Sequence, residues 1–225
     1  MSLPDVVYPV RPGEDNEELR YSLRSLRNVP HGRVWITGFV PSWLRNVGAL
    51  PVQFRHGNKV RNVRANFKAA CAHPEVADTF YVFNDDMFVM HAVENIPTMH
   101  LGPLEAYIGR IKQGLYQESL LNALVYLRAN GHPEPLAYNA HTPVLVRKRD
   151  FRATLRLLEA KLPQRTSVMT MYGNLHKIGG RRAGNAKNPK VDERLIISTN
   201  DRSFREDAAG TFIRSRFPDP SPYER

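Results

Sequence analysis

Apolar and polar runs alternate along the first hundred residues. The stretch "DVVYPV" (5–10) predicts a short strand, and "EDNEELRYSLRSLRN" (14–28) a helix, with Leu19, Leu23 and Leu26 on one face. "GRVWITGFV" (32–40) predicts a second strand and "PVQFRH" (51–56) a third, with a helix over 58–73. The run at 79–84 is rich in the β-formers Thr79, Tyr81, Val82 and Phe83, and it ends in Asn84-Asp85-Asp86. Strands alternating with helices predict an α/β sheet with parallel strands. Beyond residue 100 the periodicity turns helical, in "GPLEAYIGRIKQG", in "YQESLLNALVYLRANG" and over 149–162, before "RLIISTND" (194–201) predicts a last strand. The tail "FPDPSPYER" is proline-rich and predicts no regular element. With no repeat and no clear linker, a single domain over 1–225 is expected: a ligand-binding half over 1–100, then a helical half with the final strand over 101–225.

Composition narrows the setting. Apolar residues make up 42% and charged residues 24%, as in ordinary globular chains. No apolar stretch reaches the roughly 18–20 residues that span a bilayer, so no membrane span is expected. The opening "MSLPDVVYPV" lacks the layout of a secretory signal, and the lone Cys71 precludes an internal disulfide and a cysteine zinc site. A cytoplasmic protein is expected, in the host's cytoplasm if the chain is viral. The net charge of +10, from 32 Lys and Arg against 22 Asp and Glu, is concentrated in two acid-free segments. One carries Arg55, Lys59, Arg61, Arg64 and Lys68; the other carries Lys177, Arg181, Arg182, Lys187 and Lys190. Such segments suit phosphate-bearing or polyanionic partners, or form a solvated face that only aids solubility.

Open α/β sheets bind ligands beyond the carboxyl ends of their strands, which is where Asp85 and Asp86 fall. Adjacent ionised carboxylates repel, and desolvating them is costly without a compensating cation. Mg²⁺ or Mn²⁺ supplies one, and such ions commonly bind one or two carboxylates plus the phosphates of a substrate. The pair then holds a metal-diphosphate of the kind a nucleotide-sugar, such as a UDP-sugar, brings. The competing reading is an Asx-turn or helix N-cap made by Asn84 and Asp85.

Further segments resemble the Stealth family of nucleotide-sugar-dependent transferases, which includes capsule hexose-phosphate transferases and the lysosomal-enzyme GlcNAc-phosphotransferase. "DVVYPV" is similar to that family's opening strand, and "DNEELRYSLRSL" (15–26), "GFVPSWL" (38–44) and "FYVFNDDMF" (80–88) to its second block. "AHTPVLVRK" (140–148) resembles the third, "LIISTND" the fourth, and "FPDPSPYE" (217–224) the closing motif. The departures are a shortened spacer between the first two blocks, Tyr8-Pro9-Val10 in place of a Thr-Trp, and Asp201-Arg202 in place of paired acids. The resemblance implies a GT-A-like, Rossmann-related mixed sheet flanked by helices. It places Asp5, Asn16, Arg20, Arg24, Asn66, Lys68 and Asn84 at the donor, and Asp85 and Asp86 at the metal. His141 becomes the candidate general base or acid, against the bland alternative of a structural histidine. Asp86 is grouped with it as catalytic, Arg147 or Lys148 neutralises charge on phosphate, and Asp201 is a further metal ligand or the base. Arg20 and Arg24 lie one helical turn apart, as a phosphate clamp or as ordinary i, i+4 partners of neighbouring acids. His176 is a second histidine to weigh.

Three functions compete on this reading. One is sugar transfer from a nucleotide-sugar to a hydroxyl, with the basic segments favouring hydroxymethylated pyrimidine in DNA, as in virus-encoded (phage) enzymes that modify their own genomes. Another is sugar-1-phosphate transfer onto a glycan, as in the family it resembles. The last is a non-catalytic nucleic-acid-binding module, against which the retained Asn-Asp-Asp and His141 argue. Donor identity, stereochemistry and oligomeric state are not legible in the sequence.

Overall fold

The computed structural model describes residues 2–52, 59–187 and 194–225. Strand β1 (Asp5–Val10) leads into helix α1 (Glu17–Ser25) and a 3₁₀ turn (Leu26–Asn28), followed by β2 (Val34–Gly38) and β3 (Gly48–Pro51). Helix α2 (Lys59–Ala72) precedes β4 (Thr79–Val82), β5 (Met87–Val89) and β6 (Met99–His100). Then come α3 (Leu104–Ile108), α4 (Leu115–Ala129), β7 (Val144–Arg147), α5 (Lys148–Lys161) and α6 (Val168–Leu175). The chain closes with β8 (Arg181–Arg182), β9 (Ile196–Ser198), α7 (Asp201–Arg205) and α8 (Ala208–Arg216).

The main sheet has the order β3-β2-β1-β4-β7. Its first four members run parallel, and β7 runs antiparallel to β4, with Thr79 opposite Arg147 and Val82 opposite Val144. The sheet is thus mixed, as the resemblance implied, with parallel strands through its centre and one antiparallel strand at its edge. Two short ribbons, β5 with β9 and β6 with β8, extend the molecule. The predicted strand at 51–56 is displaced: β3 ends at Pro51, and residues 53–56 lie outside the described residues. The helix expected over "GPLEAYIGRIKQG" is short, running from Leu104 to Ile108 before Gly109.

The central strands are apolar on both sides, and the period of two sorts them cleanly. Val6, Tyr8, Val10, Val34, Ile36, Tyr81 and Phe83 pack with Leu19 and Leu23 of α1 on one face. Val7, Trp35, Phe80, Val82, Val144 and Val146 pack with Phe67 of α2 and Phe151 of α5 on the other. Gly48 allows the close approach of β3 to the Trp35 ring, since a Cβ there would sit 2.1 Å from Cε3. A third cluster, Phe88, Met90, Ile197, Phe204, Ile213 and Phe217, fixes the β5–β9 ribbon against α7 and α8. Among the described residues, no helix is long and apolar enough to cross a membrane.

Candidate active site

The carboxyl ends of β1 and β4, the amino ends of α1 and α2, the loop before β7 and the end of β9 surround a cleft of about 930 Å³. Because β7 is antiparallel, its entry rather than its exit lies at this edge, and that brings His141 to the carboxylates. Asn84, Asp85 and Asp86 follow β4 into the cleft, facing Arg11 after β1 and Asn66 on α2.

The two aspartates are not spent on a turn cap. Asp86 accepts from Lys187 Nζ through Oδ2 at 2.8 Å, while its Oδ1 is buried without a partner among the described residues. Asp85 is held above the usual carboxylate range by burial and by Asp86, with Arg11 and the Asn16 side chain acting in the opposite direction. Asn16 precedes α1 with φ of +24°, a conformation asparagine tolerates better than most residues, and its Nδ2 makes no hydrogen bond of acceptable geometry. The side chain therefore influences Asp85 through proximity rather than through a well-formed bond.

Glu18 makes the cluster more acidic than the motif suggests. It is 8% exposed, and its Oε1 accepts from Thr199 Oγ1 at 2.6 Å. Burial pushes its pKa up to about 7, with Asp86, Asp85 and Asp201 adding to the rise and Thr199 opposing it. Cations interleave with these acids: Arg11, Lys59, Lys187 and Arg202 all line the cleft. Asp201, at the start of α7, pairs with Arg11 at 2.5 Å and is held below the usual range chiefly by that bond. Its side chain is 58% exposed, and it sits at the rim of the cleft as the partner of Arg11.

His141 adopts φ of +53°, and its Nδ1 lies 3.0 Å from Asn185 Oδ1. That pairing leaves Nδ1 as the donor and Nε2 with its lone pair. Burial, and then Lys187, hold the imidazole below its usual range, while Asn185 and Asp86 act in the other direction. Left-handed backbone at a non-glycine residue costs on the order of 1 kcal/mol, and here it positions a ring in the cleft. Asn66 is 2% exposed, and its Oδ1 is an unpartnered acceptor at the same cleft.

Several expected donor residues lie elsewhere. Asp5 opens β1 at the opposite edge, about 16 Å from Val10 at the rise of a strand. Its carboxylate is filled by Arg33 N at 2.8 Å, Trp35 Nε1 at 2.8 Å and Ala77 N at 2.9 Å, which makes it a structural tie. Arg20 and Arg24 do clamp an anion, but it is Glu224 of the same chain. Arg24 forks onto it at 2.9 and 2.8 Å and also binds the carbonyls of Phe217 and Pro218, while Arg20 reaches it at 3.5 Å and stacks on Trp43. Lys68 bonds both oxygens of Glu159 on α5 at 2.9 Å, away from the cleft. Lys148 donates to the carbonyls of His73 and Val76 at 2.6 Å each, just beyond the end of α2. Arg147 ends β7 opposite Thr79, at the edge far from the carboxylates. His176 bonds Thr154 Oγ1 at 3.0 Å and is structural.

Of the basic segments, Arg55 and Lys190 lie outside the described residues. Arg64 is buried, whereas Lys59, Arg61, Lys177, Arg181 and Arg182 are exposed. Sequence reasoning missed Glu18, Arg11, Asn185 and Lys187. The signals were present in part: Glu18 stands in the first turn of the helix that carries Asn16, and Lys187 belongs to an acid-free segment.

A divalent ion would fit this chemistry. The described residues include no group of three or more His, Cys, Asp or Glu arranged to hold a metal. An ion that takes one or two carboxylates and completes its shell with substrate phosphates and water requires no such group. The unpartnered Asp86 Oδ1 and the destabilised charge on Asp85 are the features such an ion would satisfy.

No family model matches the sequence, and no curated protein matches it either. Among solved structures, an active-site mutant of LgtC superposes with a TM-score of 0.51 at 13% identity, over 97% of this chain and 98% of that one. A mutant of Drosophila beta-1,4-galactosyltransferase 7, in complex with manganese, UDP-Gal and xylobiose, overlaps more loosely, with a TM-score of 0.39 and 13% identity over 92% and 74% of the two chains. The chain has a GT-A-like fold: a mostly parallel sheet flanked by helices, with a polar cleft at the carboxyl edge of its strands.

Proposed function

We propose that this protein is a metal-assisted glycosyltransferase that moves a sugar from a nucleotide-sugar, a UDP-sugar by preference, to a hydroxyl acceptor. One observation carries the reading: two adjacent carboxylates at the ligand edge of a GT-A-like sheet, one with a buried, unpartnered oxygen, among cations that suit a diphosphate. Asp85 and Asp86 would hold Mg²⁺ or Mn²⁺, which supplies neutralisation of the departing diphosphate. Arg11, Lys59, Lys187 and Arg202 bind phosphate oxygens, and the unpartnered Asn66 Oδ1 accepts from the nucleoside. His141 is neutral near pH 7 and takes the acceptor proton at Nε2, with Asn185 fixing the ring. The acceptor oxygen then bonds to the anomeric carbon, and the bond from that carbon to the phosphate oxygen breaks.

The acceptor reading follows the charge. Exposed Lys59, Arg61, Lys177, Arg181 and Arg182, on a chain of net charge +10, suit a hydroxymethylated pyrimidine presented by DNA, contacted through its phosphates without sequence preference. The Stealth-like motifs favour a second reading, transfer of the sugar together with its phosphate. Mass spectrometry separates them. After incubation with a panel of nucleotide-sugars and hydroxymethylated DNA, a hexose gain supports the first reading and a hexose-phosphate gain the second. If no donor is consumed, even by hydrolysis, transferase activity is refuted.

A further inference from the structure

Helix α2 lines two cavities. Lys59, Asn62, Val63 and Asn66 turn to the cleft, whereas Arg61, Arg64, Ala65 and Lys68 line a second cavity of about 550 Å³. Its far wall is Leu158 and Glu159 of α5, with Leu162 and Gln164 just beyond that helix. Among the described residues, Arg61, Arg64 and Lys68 line the cavity with the carboxylate of Glu159, which Lys68 holds through both of its oxygens.

Arg64 is the unusual member. It is 6% exposed and donates from Nη2 to the carbonyl of Thr166 at 3.1 Å, while its Nε is buried with no partner among the described residues. Gln164 Nε2, on the same wall, is likewise unpartnered. A guanidinium taken out of water without a paired carboxylate is costly. Burial pushes the Arg64 pKa down, and the charge of Glu159 only partly offsets this. An anion in the cavity would supply the missing counter-charge, and a guanidinium beside an ammonium is well suited to phosphate oxygens.

We propose that this cavity is a second anion site, separate from the cleft, which takes the phosphate group of an organic phosphate and rests the ligand's apolar body on the partly exposed Leu162. The two sites share α2 as their common wall, and the second does not depend on the proposed transferase chemistry.

The test is a calorimetric titration of the full chain with phenyl phosphate and, separately, inorganic phosphate. Phenyl phosphate should bind the more tightly of the two. Removing one charge-assisted contact by Lys68→Ala should weaken binding about ten-fold. Gln164→Leu should also weaken it, and it keeps the test open if a change at the buried Arg64 prevents folding. Lys187→Ala, which alters the cleft, should leave the Lys68-dependent binding step in place. Absence of saturable binding overturns the proposal. So does affinity that falls with Lys187→Ala but survives Lys68→Ala, because the anion would then be sitting in the cleft.

Discussion

Glu18 gives the cleft a measurable stability cost. In the unfolded chain its carboxyl ionises near 4.5, whereas in the folded chain it keeps its proton up to about 7. Between those values the folded state binds more protons than the unfolded state, so stability falls as pH rises through the window, and the loss is complete above it. At about 1.4 kcal/mol per unit, the shift is worth at most about 3.5 kcal/mol, and solvent relaxation in an open cleft discounts it to about 1–3 kcal/mol. Glu18→Gln removes the ionisation while keeping an oxygen to accept from Thr199 Oγ1, which the native side chain holds at 2.6 Å. Urea denaturation of both proteins should show the variant more stable by about 1–3 kcal/mol at pH 8.5, with most of that gain gone at pH 5. Equal stability at pH 8.5, or a pH-independent loss, would refute the claim that Glu18 is buried against the aspartates.

Other substitutions separate structural ties from cleft residues. Asp5→Ala strands three donors, those of Arg33, Trp35 and Ala77, and should cost about 3 kcal/mol or more in chemical denaturation, with donor affinity of the folded protein unchanged. Arg24→Ala leaves Glu224, 3% exposed, without its bidentate partner and should destabilise by about 3 kcal/mol in the same assay. His141→Gln should lower kcat at least about 100-fold, and the acid limb of the wild-type rate profile should fall below the ordinary imidazole pKa of about 6.5, since burial holds this ring low. An acid limb above that value would remove His141 as the base.

What the sequence showed, and what it hid, follows from range. The strands at 5–10 and 79–82 and the helices α1 and α2 were legible because each carries its own apolar period. The Asn-Asp-Asp at a strand end was legible for the same reason, as were His141 and Asn66 through the motif likeness. Strand direction was not: nothing local tells that β7 runs against β4, and this reversal sends Arg147 and Lys148 to the edge far from Asp85 and Asp86 while bringing His141 beside them. The Arg20–Arg24 spacing suggested a phosphate or neighbouring acids, whereas the pair holds Glu224 from the proline-rich tail, some 200 positions away. Long-range partners of this kind, like Lys187 on Asp86 or Thr199 on Glu18, leave no trace in local pattern.

The sharpest test is calorimetric titration of UDP into the protein with and without Mn²⁺. Saturable binding should require the metal in the wild type and be lost in Asp86→Asn, a variant that keeps the side chain's shape. Binding that ignores both the ion and the substitution would contradict the assignment of the strand-end carboxylates.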